Sequence, residues 1–180
     1  MNRPTSHGFT TIEVMVAVII ITVVSSIAID TAFRARQREL VNGFAINLAG
    51  WIEKVRKSSL RGSGCELTIN TGILSQGATV ATSSKYSASL SPIDQNICSE
   101  NNPLLMTDIN SIDSQSQFEI TPSNATIIFT PRGTLYDPSG GIDLTVQLIS
   151  GPSRCVSITG MIAEITISKT CADGNIQEKF

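Results

Sequence analysis

Residues 9–29 read FTTIEVMVAVIIITVVSSIAI, and Glu13 is the one charge among them. As a helix the stretch spans roughly 31 Å at ~1.5 Å per residue, which matches a hydrocarbon core of ~30 Å. A surface that is apolar all round suits a bilayer better than one side of a soluble core. A cleaved secretory signal fits less well, because it needs a basic start, a shorter apolar run and a small-residue site after that run. Here the small residue, Gly8, precedes the run. Residues 9–29 are therefore read as transmembrane, with Thr22, Ser25 and Ser26 returning hydrogen bonds to the helix backbone. A carboxylate such as Glu13 costs ~2.5–3.5 kcal/mol near the centre of such a helix. Snorkelling to the interface is its plainest way out.

Downstream the pattern changes without breaking. Phe33, Leu40, Val41, Phe44, Leu48, Ile52 and Val55 recur at helical steps, while Arg34, Arg36, Arg38, Glu39, Glu53, Lys54, Arg56 and Lys57 fill most other faces. No proline occurs between Phe9 and Gly62, and Gly43 and Gly50 weaken the helix only locally. The spacing predicts one helix from about Phe9 to Leu60, on the order of 78 Å long. Its second half carries one apolar stripe that needs a partner. A coiled-coil dimer is the poorer partner, because the heptad repeat is not sustained.

Arg61-Gly62-Ser63-Gly64 ends the helix, and the composition turns to Ser, Thr, Asn and Gly. Strands are predicted at Cys65–Asn70, Ala78–Thr82, Phe118–Thr121, Ala125–Thr130, Ile142–Ile149, Arg154–Thr159 and Ile162–Ser168, with an irregular loop from Ser83 to Pro103. Turn signals at Pro122-Ser123-Asn124, Asp137 to Gly141, Gly151-Pro152 and Gly160 separate the later strands. The expected fold is α+β: a long N-terminal transmembrane and amphipathic helix packed on a C-terminal antiparallel β-sheet domain. The helix would occupy 9–61 and the β-rich domain 62–180.

Composition limits the chemistry. Charged residues are 16% against a usual ~25%, and apolar residues 41%, so a disordered, charge-dominated chain is excluded. The one histidine is His7, which removes Ser-His-Asp and Cys-His catalysis and His-rich metal sites from the body of the chain. No catalytic residue, cofactor or metal is expected. Asp137, Asp143 and Asp173 sit near loop glycines, where turn chemistry explains them as well as calcium would. Asn124-Ala125-Thr126 matches a glycosylation sequon and is read as a turn.

Residues 30–61 hold seven Lys/Arg against three Asp/Glu, and residues 62–180 five against eleven. A basic helix half facing acidic neighbours in a filament is the sharper reading of this split, and solvated faces the plainer one. The four cysteines, Cys65, Cys98, Cys155 and Cys171, all lie beyond the apolar helix and form no C-x-x-C pair. They read as disulfides in an oxidising compartment, which puts residues 62–180 outside the cytoplasm. Of the three pairings open to them, Cys65–Cys98 would tie down the long loop and Cys155–Cys171 the C-terminus. Arg34, Arg36 and Arg38 after the apolar run, against Arg3 before it, favour the opposite orientation by the positive-inside rule. The cysteines outweigh that count here.

Gly8-Phe9-Thr10-Thr11-Ile12-Glu13, after a short polar leader and before an unbroken apolar stretch, resembles the N-terminus of type IV pilins and type II secretion pseudopilins. The resemblance implies a leader at 1–8, cleavage by a prepilin peptidase between Gly8 and Phe9, and N-methylation of Phe9. It also implies that Glu13 serves subunit assembly by meeting a neighbour's amino terminus. Ala125-Thr126-Ile127-Ile128-Phe129-Thr130-Pro131-Arg132-Gly133 and Arg154-Cys155-Val156-Ser157-Ile158-Thr159-Gly160 resemble strand motifs of GspH/FimT-type minor pilins. Two positions depart from the pattern. Asp30 stands where major pilins often have proline, and Met161-Ile162-Ala163 stand where some FimT-like relatives have arginines suited to DNA.

The resemblance implies a minor pilin or pseudopilin: a filament subunit for secretion or motility, held in the bacterial inner membrane before assembly. Its partners would be other pilins, the peptidase and membrane lipid. The alternatives are a DNA-uptake subunit, in which Arg132, Arg154 and Lys169 cluster, and a membrane-anchored binding ectodomain. The acidic balance of 62–180 argues against nucleic acid.

Overall fold

Side chains at Val41, Phe44, Leu48, Ile52 and Val55 fall on one face of a helix, and covering that face determines how the rest of the chain folds. The computed structural model describes residues 10–61, 64–86, 98, 103–106, 117–138 and 140–171. One helix, α1, runs Thr11–Ser59. The chain divides into two units, residues 1–36 and 37–180, so the division falls inside α1.

In the first unit Ile12, Met15, Ile19 and Val24 of α1 are exposed. Thr22 and Ser26 donate to the carbonyls of Ile19 and Val23, both at 2.8 Å. These bonds satisfy hydroxyls that an apolar surround would otherwise leave unpaired. Phe33, read above as part of the buried stripe, lies in this unit and is 62% exposed. Periodicity marks a face but not where its cover stops.

In the second unit Val41, Phe44, Ala45, Leu48, Ile52 and Val55 of α1 are buried in one core with the strands. The strands are β1 Gly64–Ile69, β2 Gly72–Leu74, β3 Thr79–Tyr86, β4 Leu104–Leu105, β5 Phe118–Pro122, β6 Thr126–Phe129, β7 Ile142–Leu148, β8 Ser153–Thr159 and β9 Glu164–Ser168. Among the described residues they form two antiparallel sheets, ordered β4-β3-β1-β6 and β2-β5-β7-β8-β9. The architecture is α+β. β7 alternates strictly, with Ile142, Leu144, Val146 and Leu148 inward, as a sheet with one covered face requires. Phe44 stacks on Phe118 of β5 with ring centroids 4.8 Å apart.

The single sheet expected from the sequence is thus two. Pro122-Ser123-Asn124 looks like a hairpin turn but carries the chain from β5 in one sheet to β6 in the other. Asn124 Oδ1 accepts from Thr126 N–H at 3.0 Å, and Ser123 N–H donates to the Asp143 carbonyl at 2.8 Å. Ser83–Tyr86, assigned above to the loop, continue β3 and pair with Gly64–Leu67. Cross-strand pairing outweighs their weak propensity. Most of the expected loop, residues 87–97 and 99–102, lies outside the described residues. The last strand begins at Glu164 rather than Ile162, which sits in the preceding turn.

Candidate functional site

The start of α1 is built by its own side chains. Thr10 N–H and Thr10 Oγ1 both donate to Glu13 Oε2 at 3.1 Å, and Glu13 N–H donates to Thr10 Oγ1 at 3.4 Å. This is a capping box, in which a threonine and a glutamate three residues on satisfy helix N–H groups that have no partner in the helix. The carboxylate also lies at the positive end of the helix dipole. The signal for it in the sequence is the Thr10-x-x-Glu13 spacing itself, beside the lone charge for which Glu13 is singled out above. Gly8 and Phe9 lie outside the described residues.

At its other end α1 is clasped by the turn after β6. Phe129 is buried and bridges to Leu135, while Gly133 N–H bonds the Thr130 carbonyl at 2.8 Å. Gly133 has φ +71°, and a Cβ there would stand 2.8 Å from Leu60 Cδ2. Arg56 Nε donates to the Gly133 carbonyl at 3.1 Å, and its second arm reaches Glu53 at 2.8 Å. The Phe129-x-Pro131-x-Gly133 pattern therefore seats the end of the helix: an aromatic in the core, a turn-former, and a glycine where backbone meets Leu60.

Arg154 on β8 has a comparable task. Its guanidinium donates to Asn42 Oδ1 on α1 and to the Ser153 carbonyl, joining helix and second sheet. The guanidinium considered above for DNA is thus engaged within the fold.

Cys65 on β1 is bonded to Cys98, with Cα atoms 5.5 Å apart, and Cys155 on β8 to Cys171, at 5.1 Å. Thr145 Oγ1 lies 3.2 Å from Cys171 Sγ. Asp143 approaches the second pair closely enough to suggest a metal cluster. The two sulfurs are bonded to each other, however, and offer no thiolate ligand.

Residues 3–29 match the family model described as the prokaryotic N-terminal methylation motif. No curated protein and no solved structure matches the chain. The N-terminus is a type IV pilin-like prepilin signal leading into a helix long and apolar enough to cross a membrane. A signal of this kind implies processing by a prepilin peptidase and assembly with other pilins.

Proposed function

We infer that the chain is a minor pilin or pseudopilin of the GspH/FimT kind, a structural subunit that initiates, primes or caps a filament. The observation that carries the reading is the methylation motif at residues 3–29, followed by a helix whose first unit is exposed and whose second half is core. An apolar helix left attached after leader removal can wait in the bilayer. It leaves only by packing against other apolar helices. In this reading the peptidase cuts between Gly8 and Phe9, Phe9 is N-methylated, and Glu13 meets a neighbour's amino terminus. The disulfides favour an oxidising compartment, hence a single-pass protein of the bacterial inner membrane with its β-rich part outside. The turn at Phe129–Gly133 and the Arg154 strand support the GspH/FimT assignment, because both motifs have definite packing tasks.

Fractionation of sheared filaments against membranes tests the proposal. Wild-type chain is expected in both fractions and Glu13→Val in membranes alone, since replacing a charge by an apolar group eases insertion but removes a charge-assisted contact. Absence of wild-type chain from filaments would contradict the proposal.

A further inference from the structure

The two disulfides stand in different surroundings. Cys65 and Cys98 are both fully buried, and Cys65 lies on β1 between β3 and β6. Cys155 on β8 is equally buried, but its partner Cys171 is only half-buried. Each sulfur of this second pair has a hydroxyl beside it. Ser157 Oγ lies 3.3 Å from Cys155 Sγ, and Thr145 Oγ1 lies 3.2 Å from Cys171 Sγ. β8 and β9 are also joined without the bond, since Cys155 to Thr159 pair antiparallel with Glu164 to Ser168. The bond spans 16 residues against 33 for Cys65–Cys98, and the constraint a disulfide places on the unfolded chain grows with its loop. Cys155–Cys171 is thus both the more reachable bond and the one whose loss costs the fold less.

A thiolate attacks a disulfide at the sulfur it can reach, and the other sulfur leaves with the electron pair. Here the reachable sulfur belongs to Cys171 and the leaving one to Cys155. The Ser157 hydroxyl can donate to the leaving sulfur as its charge grows. The Asp143 carboxylate, within 4.8 Å of both sulfurs, opposes a lasting thiolate, so the opened sulfur takes up a proton from water. We propose that Cys155–Cys171 is a thiol–disulfide exchange site, opened at Cys171 by a dithiol while Cys65–Cys98 and the two sheets persist. The dithiol's first sulfur bonds to Cys171 Sγ as the bond to Cys155 breaks. Its second thiolate then attacks that first sulfur, which releases Cys171 as a thiol and leaves the reagent as a disulfide. Two electrons and two protons pass to the protein. Opening removes the covalent tie between β8 and the chain beyond Ser168, which makes that tie responsive to redox conditions. The exchange needs neither a filament nor a membrane, so it stands apart from the filament reading.

The test treats the full-length chain in detergent with dithiothreitol under native conditions, quenches with excess N-ethylmaleimide and maps the peptides without reduction. Cys155 and Cys171 should carry label while Cys65–Cys98 stays linked, and the cooperative thermal transition should remain. With glutathione, a monothiol that cannot complete the second step, the trapped adduct should sit on Cys171 with the label on Cys155. Ser157→Ala should slow the opening several-fold and leave the thermal transition of the oxidised chain unchanged. Ser157→Thr, which keeps the hydroxyl, should restore the rate. Several results would overturn the exchange site: no labelling, labelling of both pairs together, Cys65 and Cys98 first, or a glutathione adduct on Cys155. Opening that occurs only with loss of the thermal transition would overturn it as well. An opening rate indifferent to Ser157→Ala would overturn the part given to the hydroxyl. All of these outcomes leave entry into filaments untouched, so the two readings fail separately.

Discussion

Glu13 can serve its own helix or a neighbouring subunit, and its bonds to Thr10 allow the two roles to be separated. If capping were its whole task, Thr10→Val and Glu13→Val would behave alike, each losing about 0.5–2 kcal/mol at the helix start. In the assembly reading they differ. Thr10→Val leaves the carboxylate in place, so filament fractionation should recover this variant near wild-type levels while Glu13→Val is lost. Gly133 supports a second prediction. Gly133→Ala adds a Cβ at positive φ and against Leu60, so a loss of about 1–3 kcal/mol is expected by thermal unfolding. Leu60→Ala in the same chain should recover the steric part and leave the backbone part. A lone charge in an apolar run makes Glu13 conspicuous in the sequence. Arg56 was not readable in the same way, because its partner Gly133 is 77 residues distant and only the folded chain brings the two together.

The second half of α1 belongs to the core as much as any strand does. Phe44, Leu48 and Ile52 are fully buried, and burial of each such side chain stabilises by roughly 1.5–3 kcal/mol. With Val41 and Val55 the set is comparable to the whole net stability of a domain, about 5–15 kcal/mol. A fragment of residues 37–180 should therefore fold with a cooperative thermal transition, and one of residues 62–180 should not. A cooperative, native-like 62–180 fragment would show that the sheets need no helix. The helical stripe and the β-branched strand centres could be read from the sequence because each repeats its own period. Sheet membership could not, since the turn at Pro122–Asn124 has hairpin chemistry whether or not its flanking strands pair. β2 and β4, three and two residues long, are too short to show a period.

Taken whole, the molecule joins a motif for processing, a helix that can lie in a bilayer and a disulfide-bonded α+β unit. Each part has other uses alone. An anchored ectodomain would share the helix and the disulfides, and a soluble secreted domain the disulfides. What distinguishes a filament subunit is that its leader is removed while its apolar helix stays. Intact-mass measurement of the chain from a host with prepilin peptidase tests this most directly. The mass should lack residues 1–8 and carry one added methyl, and Gly8→Glu should keep the full-length mass by placing a charged side chain at the cut. A full-length, unmethylated wild-type chain from that host would contradict the account.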